Sequence, residues 1–372
     1  LKIQALALEW HISNDYHLTV NPSLSNMDQS PGSTTAVNVV ADRDEPVSQS
    51  GPVGLPNGAR TILAPLCGIT DTVFRRICLQ HGANMAVTEM ISSEAMTRGK
   101  EDTVRAVKGM DVGEGPLSLQ IFGGDPRRMG ETAATLSALE PEYIDMNFGC
   151  PVRKIVAQNG GSAVLKDVRL LGQICREVVR RSRVKVSAKI RVGWDKSSGD
   201  QVREIARTIE DAGVSMVAVH ARTRKQRFTG QANWDLIAEA RDAVDIPVVG
   251  NGDVTTADSF FEIVSHTGCE AVMIGRGAIG NPWVFSEIAA RMEGRAYSPP
   301  GPRERVDVLL GHVRRKVELD GEPYGVVTSR KTMGAYVKYL PGARELRGAM
   351  MQITAFAELE DLFHNYLEDH GL

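Results

Sequence analysis

A thiol is set between glycine and proline in the run Asp145-Met146-Asn147-Phe148-Gly149-Cys150-Pro151. A loop of that shape aims its cysteine rigidly, and at an ordinary pKa of ~8.5 the thiol is mostly protonated at neutral pH. Such a group can donate a proton or attack a substrate. The other reading is a small buried filler, and a histidine partner distant in sequence stays open. Further along, Lys189 and Arg191 alternate with Ala188 and Ile190, which points two cations to one side of a nearly apolar segment. Buried cations need electron-rich company, either a ligand's phosphate or ring or an internal carboxylate. Gln120 inside an apolar run, and His220 ahead of Arg222 and Thr223, suit either a heterocycle's edge or the interior of a fold. The stretch Arg222–Arg227 is the densest basic segment, fit for a polyanion or simply for water.

These residues need a scaffold, and the chain supplies a regular one. Short apolar runs at Thr61–Ala64, Met85–Thr88, Leu117–Phe122, Tyr143–Met146, Val184–Ile190, Met216–His220, Pro247–Gly250 and Ala271–Ile274 read as strands buried on both faces. Helix patterns lie between them, among others at Asp71–Gln80, Asp125–Leu139 and Thr255–Ser265, each opening on a capping residue. Eight strands with intervening helices over residues 60–295 predict an α/β fold, a TIM (β/α)₈ barrel, with a doubly wound open sheet as the structural alternative.

In a barrel the chemistry sits at the C-terminal edge of the strands, which is where the residues above fall. After the first strand, Pro65, Leu66 and Cys67 begin a turn that either lets the backbone approach a flat ligand or is an ordinary tight turn. The glycine turns Asn251-Gly252-Asp253 and Gly275-Arg276 follow strands seven and eight and feed helices. Barrels hold phosphate groups at that place, so a phosphate-bearing ligand is expected.

Beyond Gly294 the break Ser298-Pro299-Pro300-Gly301-Pro302 leads into residues 303–372, whose periodicity predicts a small all-helical domain. Residues 303–350 carry ten Lys/Arg against six Asp/Glu, whereas 351–372 carry none against five, so this domain is polarised along its sequence. At the other end, 26 of the 39 residues from Asn21 to Ala59 are Pro, Gly, Ser, Thr, Asn, Asp or Gln and none is aromatic. Residues 1–59 are expected to be a disordered extension, with Met27 available as an internal start.

Composition narrows the class. Of 372 residues, 42% are hydrophobic and 24% charged, which suits a soluble globular chain. No apolar run reaches membrane-spanning length, and no basic start with a cleavage site marks a secretory signal. Five scattered cysteines without a Cys-x-x-Cys pair argue against zinc and disulfide frameworks and fit a reducing cytoplasm. The net charge of −3 announces no nucleic-acid binder, yet it says nothing about local patches.

Taken together, Ala64–Asp71, Asn147–Pro151, Lys189–Trp194, His220–Thr223, Asn251–Asp253 and Gly275–Arg276 resemble the tRNA-dihydrouridine synthase family, its bacterial branch in particular, from residue 60 to about 350. The resemblance implies an FMN barrel with a helical tRNA-binding domain, reducing uridine in tRNA with NADPH as the usual donor and NADH as a further option. It implies that hydride passes from flavin N5 to uracil C6 and that Cys150 protonates C5. By the same resemblance Pro65, Leu66, Cys67 and Gln120 contact the isoalloxazine, and Lys189 and His220 line the flavin. Asn251, Gly252, Asp253, Gly275 and Arg276 hold its phosphate, and Asn147 and Arg222 hold the uracil. Two departures stand out: Cys67 replaces the family's common Ala, and Arg330–Tyr336 lacks the His and Trp often seen there. A monomer in the cytoplasm is expected, with no metal. The competing readings are another FMN barrel acting on a small molecule, of dihydroorotate dehydrogenase or ene-reductase type, and a catalytically silent RNA-binding barrel.

Overall fold

In a computed structural model, residue 55 and residues 58–99, 115–195 and 201–372 are described, all within one compact unit. The expectation of disorder for residues 1–59 falls outside them, apart from Leu55, Gly58 and Ala59. Strand β1 (Thr61–Leu63) leads into helix α1 (Thr72–Gln80), whose first turn is closed by Asp71 accepting from Phe74 N at 3.0 Å. Then come β2 (Met85–Val87), β3 (Ile91–Ser92), α2 (Ser93–Thr97), β4 (Leu117–Phe122) and α3 (Pro126–Leu136), with proline at its first turn. The chain continues through β5 (Tyr143–Phe148), α4 (Arg153–Val156), α5 (Val168–Arg181), β6 (Lys185–Arg191), α6 (Val202–Asp211), β7 (Met216–His220) and α7 (Asp235–Arg241). Strand β8 (Val248–Asn251), α8 (Ala257–Thr267), β9 (Ala271–Ile274) and α9 (Trp283–Met292) complete the α/β part.

Every pairing is parallel, and the ring closes because β1 pairs with both β2 and β9 while β2 also pairs with β4. Segments β2 and β3 both pair with β4 and are two pieces of one strand interrupted at residues 88–90, so the barrel is eight-stranded. All eight expected strands are present, and the open-sheet alternative fails on this closure.

The strands look continuously apolar because alternate residues serve two different cores. Outward residues such as Ile144, Met146 and Phe148 on β5, or Val186, Ala188 and Ile190 on β6, pack under the helices. Inward residues Tyr143, Met216, Ala218, Val249, Ala271 and Met273 fill the barrel. Period-two geometry then puts Ser118 and Gln120, Asp145 and Asn147, Ser187, Lys189 and Arg191, His220 and Asn251 on the inward face. The interior thus changes from apolar to polar towards the C-terminal ends of the strands.

After the barrel, α10 (Pro302–Asp320), α11 (Tyr324–Tyr336), α12 (Ala343–Met350) and α13 (Phe356–Asp369) gather around Val306, Leu309, Val313, Met333, Leu359 and Phe363. This bundle is docked on the barrel by specific contacts. His312 stacks on Phe74 of α1 with centroids 5.8 Å apart and shares a 3.2 Å hydrogen bond with Tyr336 Oη. Trp283 of α9 donates to Glu304 at 2.6 Å, and Lys316 pairs with Asp71 at 3.1 Å.

Gly280 lies where the loop before α9 meets α11. It has φ +64°, and a Cβ built there would stand 2.4 Å from the Ala335 carbonyl carbon. Gly280→Ala combines a disfavoured backbone with overpacking against main chain and should cost roughly 1–3 kcal/mol. Urea unfolding should show the loss; an unchanged midpoint would mean that the two parts do not press together here.

Candidate active site

At the C-terminal edge of the strands opens a cleft of about 700 Å³, a size that suits a cofactor with substrate above it. Its walls include Pro65, Leu66, Cys67, Gln120, Asn147, Cys150, Lys189, His220, Asn251, Gly252, Asp253, Gly275 and Arg276. Residues from all eight barrel strands and their loops, Ser92 of β3 included, therefore meet in one place, as period-two alternation and barrel closure require.

One side of the cleft is cationic. Lys189 is buried and donates to Asn251 Oδ1 at 3.0 Å, while Asn251 Nδ2 donates to Met273 O at 2.6 Å. Burial, aided by Arg191 and opposed by Asp145, pulls the Lys189 ammonium down to about 8. Burial also drives the His220 imidazole far below its ordinary range, and the charges of Lys189, Arg191, Arg222 and Arg276 push it the same way. It is a neutral ring at physiological pH. The Phe228 ring is 53% exposed at the mouth, with Arg276 and Arg191 guanidinium carbons 5.1 and 5.5 Å from its centroid.

The other side presents the thiol. A run of hydrogen bonds crosses three strands to reach it. Ser187 Oγ donates to Asp145 Oδ1 at 2.7 Å, Gln120 Nε2 to Asp145 Oδ2 at 2.7 Å, and Asn147 Nδ2 to Gln120 Oε1 at 2.8 Å. Asn147 Oδ1 then accepts from the backbone N–H groups of Gly149 and Cys150 at 3.0 and 2.9 Å. Asn147 thus fixes the loop that bears Cys150, and Arg191 Nε holds it from the other side through Gly149 O at 2.9 Å. Burial pushes the Cys150 thiol up, with Cys67 adding to the rise and the Val152 N–H and Arg191 opposing it. The group stays a protonated thiol.

Of the residues expected from sequence, Arg222 is placed differently. It is 1% exposed, does not line the cleft, and donates to Asp253 Oδ2 at 2.6 Å and Gly230 O at 2.5 Å. Its Nη2 is engaged behind the wall, and the side chain is buried outside the cleft lining. Asp253 in turn accepts from Arg276 at 3.1 Å, which leaves Arg276 and the backbone of the two glycine turns as the anion-facing groups. Sequence reasoning left Phe228 and Asp145 out. Phe228 carries no periodic signal in its basic loop, whereas Asp145, a carboxylate inside an apolar run, could have been noticed. In the helical part, Arg330 donates to Ile353 O at 2.8 Å and Tyr336 is buried. Lys331 reaches the rim, its Nζ lying 2.7 Å from where a Cβ on Gly68 would be.

Residues 62–369 match the family model described as dihydrouridine synthase. The chain belongs to the dihydrouridine synthase family. The tRNA-dihydrouridine synthase B of Pseudomonas aeruginosa is 40% identical over 303 residues, covering 81% of this chain and 90% of that protein. A probable tRNA-dihydrouridine synthase of Rickettsia conorii is 36% identical over 290 residues, covering 78% and 87%. A solved structure of histamine dehydrogenase from Rhizobium sp. 4-9 shares the fold, with a TM-score of 0.51 at 14% identity; the match covers 68% of this chain and 48% of that one. As a dihydrouridine synthase family member the chain is an oxidoreductase that uses a flavin.

The donor set suits that group. Arg276 and two glycine turns stand at one end, Ala64, Leu66 and Met273 supply apolar wall, and Gln120 and the buried Lys189 offer hydrogen-bond donors. Among the described residues no cluster of His, Cys, Asp or Glu could hold a metal ion, and no helix is long and apolar enough to cross a membrane.

Lys189 makes this family member's stability depend on pH in a defined sense. Its folded pKa of about 8 lies below the ordinary 10.5, so between these values the unfolded chain retains a proton that the folded chain has released. Stability therefore rises with pH across that window. In melts of flavin-free protein, the stability of wild type relative to Lys189→Met should grow by on the order of 2 kcal/mol from about pH 8 to pH 10. A flat difference would show that Lys189 is not held under strain of charge.

Proposed function

We propose that this chain is a tRNA-dihydrouridine synthase that binds FMN in the barrel cleft and reduces the C5=C6 bond of a tRNA uridine with NADPH. The observation that carries the reading is the convergence, in one cleft, of a fixed protonated thiol, a buried lysine and a cationic phosphate end. Family membership supplies the class of reaction.

When bound, a flavin would supply, with electrons from NADPH, the hydride that C6 of the uracil ring needs. The residues of this chain do the rest. Pro65, Leu66 and Cys67 would offer backbone, and Gln120 an amide, to the flavin ring, which Lys189 and neutral His220 would line. Arg276 and the turns at Asn251–Asp253 and Gly275 take the phosphate. Asn147 shapes the Cys150 loop beside the uracil. Cys150 donates its proton to C5, and the thiolate left behind is stabilised by Arg191, whose charge already favours that form. Phe228 gives the mouth an apolar face suited to a base.

A uridine in folded tRNA must leave its stack to reach this depth. The helical region offers a grip for the surrounding phosphates. Lys331, Lys338, Arg344 and Arg347 are exposed there, and Lys331 brings that surface to the rim of the cleft. The protein acts as a cytoplasmic monomer in this reading, with residues 303–372 as the tRNA-binding part.

Flavin reduction and uridine reduction separate at Cys150. Cys150→Ala should keep its flavin and accept electrons from NADPH at nearly the wild-type rate. In single-turnover mixing of pre-reduced enzyme with unmodified tRNA, its reoxidation should slow by ~10²–10⁴-fold, the usual contribution of a positioned acid. Reoxidation at the wild-type rate would remove Cys150 from the role of proton donor.

A further inference from the structure

Asp253 is gripped from three directions. Its Oδ1 accepts from Arg276 Nη2 at 3.1 Å, and its Oδ2 from Arg222 Nη2 at 2.6 Å and Ala232 N at 2.8 Å. Arg222 continues the strut into the loop after β7, reaching Gly230 O at 2.5 Å and, more weakly, Thr229 O at 3.4 Å. Trp234 Nε1 donates to Gly252 O at 3.0 Å and closes the same two segments together. Gly252 and Asp253 have φ +133° and +59°, and the latter lies in the left-handed region that aspartate enters more readily than most side chains.

Charge gives this strut a direction. Two guanidinium groups share one carboxylate; Arg222 is buried, whereas Arg276, with its side chain 53% exposed, is the one open to the cleft. An anion bound at Arg276 would restrict a side chain that also bonds Asp253, and Asp253 bonds Arg222 and Ala232. The tip they anchor, residues 227–230, is exposed and carries Phe228 at the cleft mouth.

We propose that Arg222 and Asp253 are positioning residues that couple the phosphate end of the cleft to the loop bearing Phe228, so that binding of a phosphorylated flavin orders the loop for substrate. This rests on the reading that Arg276 receives the flavin phosphate. Neither residue touches the reacting atoms; both act through the loop.

Lys225 and Arg227 are exposed on this loop and offer trypsin its cleavage sites. Flavin-free protein is reloaded with saturating FMN, or with riboflavin, which lacks the phosphate; quenching of flavin fluorescence confirms binding. Cleavage after Lys225 and Arg227 is then followed by mass spectrometry, under conditions where it reports the open population. FMN should slow cleavage of wild type by roughly tenfold, within the usual range of coupling between sites, and riboflavin should not. In Arg222→Met and Asp253→Asn, FMN should give no protection and the KM for tRNA should rise, and in Arg222→Met, which lies outside the cleft lining, flavin reduction by NADPH should be unchanged. Circular dichroism establishes folding, and if Arg222→Met does not fold, the nearly isosteric Asp253→Asn carries the test. Equal protection by FMN and riboflavin, or FMN protection retained in the folded variants, overturns the coupling and leaves the flavin reading standing. Failure of wild type to bind FMN overturns the functional reading itself.

Discussion

The rest of the site depends on an excess of positive charge held at the mouth of a closed barrel. Lys189, Arg191, Arg222 and Arg276 converge there with His220 forced neutral among them. Within this group Asp253 answers Arg222 and part of Arg276, and Asp145 lies near Lys189 behind Gln120. Burying an ammonium beside other cations is unfavourable unless something electron-rich comes to meet it. The depressed Lys189 pKa is the sign of that unmet demand. In the proposed reading, a flavin with a phosphate tail answers it at two points, the ring and the tail.

The thiol depends on the same framework from the opposite side. Asp145, Gln120 and Asn147 lie on two adjacent strands and bond in series, so the position of Cys150 follows from strand register and not from the loop alone. Arg191 joins the two halves: it belongs to the cationic wall, braces Gly149, and its charge favours the thiolate form of Cys150. Thiol and cationic wall are thereby referenced to one barrel.

Much of this was legible in the chain. Eight apolar runs separated by capped helices determine the barrel, and residues that follow strands at the catalytic edge converge whatever their separation in sequence. That rule placed Gln120, Cys150, Lys189, His220 and the glycine turns in one cleft. It failed for Arg222, which shares the parity of His220 but lies beyond the end of β7, because the sequence could not reveal that Asp253 and the Gly230 carbonyl lie behind the wall to receive it. It also passed over Phe228, whose exposure between two arginines is a product of loop folding, and over the split of one strand into β2 and β3. The strands appeared non-alternating because both faces are apolar for most of their length; only the polar residues at the C-terminal ends betray which face is inward.

The central claim is that this charged cleft exists to reduce uridine in tRNA. Its most direct test incubates purified protein, FMN and NADPH with unmodified tRNA, then digests the tRNA and weighs its nucleosides by mass spectrometry. The account predicts uridine heavier by two hydrogens, formed in step with NADPH consumed, and absent when Lys189→Met replaces wild type. A yellow protein that consumes NADPH with small-molecule acceptors and leaves every tRNA nucleoside unchanged would contradict it.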